Sequence, residues 1–207
     1  MTHPRLSPNV SLNETPEHLR SILAESVQVH KHLCPRQILG ARIGLAGAAA
    51  LGFDVPHPAK QLLAIVETDG CFVSGVQAAT GLRVNRRTMR IEDYGKTAVT
   101  FVDVRSGEAV RVSPALDIRE TAWDYARPGE TRRYFAMLHG YMHMPADELL
   151  RLQEVVLARA VQEIISRPGV RRDCARCGEE IINEREVWYA GEWVCQSCAG
   201  DAYYKIP

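Results

Sequence analysis

Six cysteines and seven histidines lie unevenly along the 207 residues, and a few of them have the spacing of metal ligands. Cys174 and Cys177 form one CxxC pair, Cys195 and Cys198 another, with 17 residues between the pairs. A CxxC turn presents two sulfurs on one side of a tight knuckle. Two knuckles joined by a hairpin give a tetrahedral set of four thiolates, the donors and shape that suit zinc. Such a site has no open coordination position, so the zinc expected here is structural. Gly178 and Ala190-Gly191 supply the turns. A module this small has little core of its own, and metal binding then supplies much of its folding energy. Trp188, Tyr189 and Trp193 either pack the hairpin or meet a partner.

A second cluster is less explicit. "HKHLCP" places His30, His32 and Cys34 two residues apart, with Pro35 next. On a continuous helix, His30 and Cys34 share a face while His32 points about 200° away. The three converge only if the backbone turns around residues 32 to 34, and Pro35 gives a reason for a turn. Cys34 then stands at the N-cap of a helix starting at Pro35. Cys71 follows a Thr-Asp-Gly turn and opens another helix, so the dipole favours thiolate at both. Two imidazoles and one or two thiolates suit zinc or another borderline transition metal. The plainer alternative is surface histidines at a helix end and two cysteines buried as small hydrophobes. His139 and His143, at i and i+4, could face one metal or simply lie on a partly exposed helix face.

These residues need elements to hold them. Residues 16–33, opened by Thr15-Pro16-Glu17, read as a helix with a hydroxyl cap and proline at its first position, ending at Cys34 or just before. Residues 35–51 read as a second helix, thinned on one side by Gly40, Gly44 and Gly47, which predicts close packing against another backbone. "QLLAIVET" reads as a buried strand and "CFVSGVQAAT" as a helix closing on Gly81. "TAVTFVDV" and "AVRVSPAL" flank "RSGE" as a hairpin. "ETRRYFAMLHGYMH" reads as helical. Residues 145–166 read as one long amphipathic helix, with Leu149, Leu152, Val156, Ala160 and Ile164 on a stripe. The expected fold class is α+β, helices packed on a mixed β-sheet, with a small C-terminal zinc ribbon. The expected divisions are a polar tail (1–15), a metal-binding domain (16–167), and linker plus finger (168–207).

The bulk numbers limit the function. Apolar residues make up 46%, enough for a real core. Twenty-five basic residues balance 25 acidic ones, which argues against general nucleic-acid binding. The sequence has no apolar run long enough to span a membrane and no hydrophobic signal core at its start. The expected location is the cytoplasm, where free thiols persist.

"HKHLCP", "VETDGCFVSGVQAATG" and "MRIEDYGKTAVTF" together resemble the FmdE family, named after formylmethanofuran dehydrogenase, over roughly residues 16–167. The C-terminal cysteine pairs resemble zinc fingers of the DksA/TraR type. His30, His32, Cys34, Cys71 and Asp93-Tyr94-Gly95-Lys96 match the family pattern. Lys31 and Arg36 stand where the family has glycine, and Leu82 where many members have a further cysteine. The resemblance implies a mixed-sheet α+β domain, similar in topology to the catalytic domain of glyceraldehyde-3-phosphate dehydrogenase, and a homodimer. It implies a core metal site of His30, His32, Cys34 and Cys71 holding a second transition metal, zinc among the candidates, with Asp93, Tyr94 and Lys96 around it.

Three functions follow as expectations. The first is an accessory or metal-handling factor for a metalloenzyme partner. The second is an enzyme using an open metal centre or the Cys34 thiolate, with Glu67, Asp69, Asp93, Tyr94 and Lys96 as available acid–base groups. The third is a regulatory module that binds a partner through the finger.

Overall fold

The computed structural model describes residues 16–205, leaving out the side chains of Glu25, Gln28, Val29 and His30. The tail and the Thr15 cap lie outside the described residues. The chain divides into two compact units, Met1–Ala158 and Arg159–Pro207, earlier than the break read at Arg167–Gly169.

In the first unit, helices α1 (Pro16–His30) and α2 (Pro35–Ala50) precede strand β1 (Leu62–Val66) and helix α3 (Cys71–Thr80). Strands β2 (Met89–Ile91), β3 (Val99–Asp103) and β4 (Ala109–Pro114) follow, then helices α4 (Ile118–Thr121), α5 (Arg133–His143) and α6 (Ala146–Leu149), and strand β5 (Leu150–Val155). The sheet order is β2-β1-β3-β4-β5. The β1–β2 pair is parallel and the other three pairs are antiparallel, so the sheet is mixed. β3 and β4 are the hairpin expected around "RSGE".

The glycines of α2 explain the packing. A Cβ on Gly40 would lie 2.2 Å from the Phe72 carbonyl oxygen, and one on Gly75 of α3 would lie 2.0 Å from that of Gln37. The backbones of α2 and α3 therefore cross in direct contact, as the small-residue stripe predicts. A Cβ on Gly47 would strike the buried Phe101 ring at 2.0 Å, so the same stripe seats α2 on β3. Leu19, Leu23, Ile38, Phe72, Leu82 and Leu149 join one continuous core.

The long helix expected over residues 145–166 is not formed. α6 ends at Leu149, Leu150–Val155 pairs antiparallel with β4, and Val156 is 98% exposed. The stripe at 3.6-residue spacing coincides with a local alternation, Leu150 and Leu152 against exposed Arg151 and Gln153. Pairing with β4 satisfies backbone groups that β4 would otherwise leave open, and this non-local gain overrides helix propensity.

The second unit holds helix α7 (Val161–Ile165) and two small hairpins, β6 (Arg171–Asp173) with β7 (Glu180–Ile182), and β8 (Val187–Tyr189) with β9 (Glu192–Val194). Its core is Cys174, Ile181 and Val194, too small to hold these strands alone. No helix among the described residues is long and apolar enough to cross a membrane.

Candidate metal centres

The two hairpins bring the four cysteines together. One ligand atom from each of Cys174, Cys177, Cys195 and Cys198 lies within 4.8 Å of every other. Cys177 and Cys195 sulfurs are 4.0 Å apart. The knuckles aim backbone N–H groups at sulfur: Cys195 N–H donates to Cys174 Sγ at 3.3 Å, and Cys198 N–H to Cys195 Sγ at 3.4 Å. The N–H groups of Cys177 and Cys195 bring the Cys174 thiol down to about 6. Cys198, hydrogen-bonded to Cys195 and crowded by the other sulfurs, is pushed up to about 12. Four thiolates this close repel one another, so the set ionises fully only around a cation. The donors and spacing fit a four-coordinate metal such as zinc.

Around this set, Trp188 and Trp193 face each other across β8 and β9, ring centroids 5.0 Å apart. Arg172 lies 5.0 Å over Trp193 and Arg176 4.9 Å over Tyr189. The aromatics thus pack the hairpin, yet Trp188 keeps 61% of its surface exposed.

In the first unit, the HKHLCP stretch turns at Lys31, just before the expected 32 to 34. α1 ends at His30, and Lys31 takes a positive φ of 62°. That left-handed conformation is one glycine adopts without cost, which accounts physically for glycine in the family pattern there. Lys31 accepts the strain instead. Cys34 caps α2 in extended geometry, φ −124°, ψ 157°. Its backbone N–H donates to Gln37 Oε1 at 2.8 Å, and Gln37 Nε2 donates to Ser26 Oγ at 2.8 Å, tying the cap to α1.

Cys34 and Cys71, at the starts of α2 and α3, come within hydrogen-bonding reach of each other. The expected thiolate character does not hold for Cys34. Burial pushes its thiol above the ordinary range, the neighbouring Cys71 adds to this, and the N–H groups of Gln37 and Arg36 offset only part. The helix dipole is outweighed by desolvation at a residue 8% exposed.

His32 is exposed on the bend, and among the described residues it does not join the two thiols within ligating distance. The His30 side chain lies outside the described residues. Asp93, Tyr94 and Lys96 are exposed on a turn closed by Gly95 N–H donating to Asp93 Oδ1 at 2.9 Å. Tyr94 and Lys96 N–H groups both donate to the Glu67 carbonyl at 3.0 Å, so this turn is fixed to the β1–α3 connection that ends at Cys71. The Glu67 carboxylate is bound by Arg111 at 2.6 and 2.7 Å, clamping β1 to β4 across β3. That bidentate pair withdraws Glu67 from the acid–base groups. Asp69 is exposed in the same connection.

Sequence reasoning missed two tertiary contacts, one of them beside the thiols. Tyr134 Oη donates to the Leu33 carbonyl at 3.2 Å. Burial first, then the nearby Cys34 and Cys71, raise its phenol above the usual value. Arg42, 3% exposed on α2, donates to the Tyr141 carbonyl at 3.2 Å and to that of Met144, fastening α5 to α2. Residues 33 and 134 are 101 apart in sequence. No local pattern signals that contact.

Comparison with known proteins agrees with the resemblance read from the motifs. Similarity extends to a probable S-adenosyl-L-methionine-binding protein of Archaeoglobus fulgidus, 31% identical over 217 aligned positions. The match covers 91% of this chain and 55% of the relative, so the chain spans about half the relative's length. An FmdE-like protein from Syntrophus aciditrophicus, named after tungsten formylmethanofuran dehydrogenase, has a similar fold in its crystal structure. The TM-score is 0.54 at 21% identity, covering 95% of this chain and 98% of that one. The model of the FmdE family, described as "Molybdenum formylmethanofuran dehydrogenase operon", matches residues 29–151, the stretch from the HKHLCP bend through the start of β5. This chain, with a four-cysteine cluster able to bind metal after that stretch, belongs to the FmdE family.

Proposed function

We propose that this chain is a metal-handling or accessory factor for a metalloenzyme, with structural zinc at Cys174, Cys177, Cys195 and Cys198 and a second transition metal at Cys34 and Cys71. The observation that carries the reading is the meeting of two thiols at the starts of two helices crossing in backbone contact. A bound cation offsets the desolvation that keeps Cys34 protonated, and its dithiolate suits a borderline metal. His32 stands two residues away on an exposed bend, where side-chain rotation can bring imidazole to the ion. His30 is the remaining ligand in this reading.

Metal analysis of the full chain tests it. Wild type should carry two transition-metal ions per chain, and the Cys34→Ser/Cys71→Ser variant one. If that variant holds as much metal as wild type, the core site does not exist. The Tyr134 phenol beside the thiols favours a second reading, an enzyme whose core metal keeps an open position. Exchangeable water at the metal, detected by relaxation of solvent protons on a cobalt- or manganese-loaded sample, would support it. A site saturated by protein ligands gives no such exchange.

A further inference from the structure

α5 carries two histidines, one turn apart, that neither metal centre uses. The rings of His139 and His143 stack, centroids 4.0 Å apart and planes 20° from parallel. His139 Nδ1 lies 2.6 Å from the Tyr125 carbonyl oxygen, and His143 Nδ1 2.7 Å from that of His139. A carbonyl only accepts, so both Nδ1 atoms carry hydrogen and donate. In the neutral rings each Nε2 is then a lone-pair acceptor. Both rings line a cavity of about 250 Å³. The two rings stack face to face, so they do not close on one point as chelating imidazoles would. Among the described residues no third ligand joins them. The pair serves a ligand with several N–H donors better than a single ion.

The other walls carry both signs of charge. Arg20 and Arg127 line the cavity, and neither has an ion-pair partner among the described residues. Glu130 lines it as well. The Arg132 and Thr131 N–H groups and Arg132 Nε all donate to its Oε1, at 2.9, 3.1 and 3.3 Å. None of these bonds uses Oε2. Led by the Arg132 N–H, they hold the carboxyl below the usual range, so it is ionised at neutral pH. Leu33, Phe135, Leu138 and Met142 supply an apolar wall.

We propose that this cavity binds a free α-amino acid with an apolar side chain. Its carboxylate pairs with Arg20 and Arg127, its ammonium with Glu130 Oε2 and the imidazole Nε2 atoms, and its side chain lies on the apolar wall. Arg132 already pairs with Glu130 Oε1, but a simple carboxylate leaves Oε2 and the two imidazole lone pairs without a donor. A simple amine leaves the two guanidiniums unpaired. Only a ligand with both groups satisfies every wall. The volume is below the roughly 300–1,000 Å³ of drug-sized sites, which suits a ligand of this size.

Calorimetric titration of the full chain with L-phenylalanine, 3-phenylpropionate and 2-phenylethylamine tests this. L-phenylalanine should bind, and each half-molecule should bind at least about tenfold more weakly, the loss of one charge-assisted contact. Arg127→Gln and Glu130→Gln should each weaken L-phenylalanine by a similar factor while circular dichroism and the melting midpoint stay unchanged. 3-Phenylpropionate binding as tightly as L-phenylalanine would make the site one for anions and overturn the proposal. So would the absence of binding by L-phenylalanine, L-leucine and L-methionine at millimolar concentration.

Discussion

At the residue scale, position 31 shows how a spacing pattern and a backbone conformation combine. His30, His32 and Cys34 read as metal-ligand spacing, but the turn that redirects them is made by Lys31 at φ 62°, not by Pro35 alone. The four finger thiols make a different point, because proximity sets their ionisation. Without a cation, Cys174 at about 6 lies below the ordinary cysteine value of 9.0. Its contribution to folding is full above pH 9 and is lost as pH falls through about 6. Cys198, raised to about 12, acts in the opposite sense, contributing fully below pH 9 and losing that as pH rises toward 12. A bound metal replaces these protons, so acid competes with it. Bound zinc should fall as pH is lowered from 8 to 5 in a chelator competition, with protons released on reloading. A metal content independent of pH over that range would contradict four-thiolate ligation.

At the element scale, crossing and pairing decide what each segment becomes. Gly75 lets α3 lie on α2, and an added methyl would sit 2.0 Å from the Gln37 carbonyl oxygen. Gly75→Ala should destabilise the first unit by about 3 kcal/mol in denaturant unfolding, the upper range for overpacking. It should also weaken any metal held by Cys34 and Cys71, since it forces apart the helices that bring them together. β5 offers a sharper test. A helical stripe would bury Val156, but in the strand arrangement it is 98% exposed. Val156→Glu should change stability by less than about 0.5 kcal/mol, while Leu149→Ala, fully buried, should cost about 3 kcal/mol. A large loss from Val156→Glu would restore the helix.

At the scale of the whole molecule, the two units depend on different forces. The first has a continuous core that includes Phe72 and Phe101, and the hairpins of the second share only the small cluster of Cys174, Ile181 and Val194. Chelation should therefore unfold Arg159–Pro207 and leave Met1–Ala158 folded. The near-ultraviolet signal of Trp188 and Trp193 should collapse on chelator addition while most far-ultraviolet helical signal remains, and zinc should restore it. A cooperative loss of both signals would show one folding unit instead of two.

The sequence alone determined the features that local chemistry dictates. CxxC spacing gave the finger, proline and Cys34 gave the start of α2, Gly81 gave the end of α3, and the glycine stripe gave the helix crossing. Each follows from a side chain's own steric or ligating properties within a few residues. Tertiary structure decided the rest. It made 150–155 a strand because β4 needed a partner, and kept Cys34 a thiol because burial outweighs the dipole. It also engaged Glu67 with Arg111 and carried Tyr134 to the thiols from 101 residues away. These outcomes depend on burial and on pairing between distant segments, free energies that no local pattern contains.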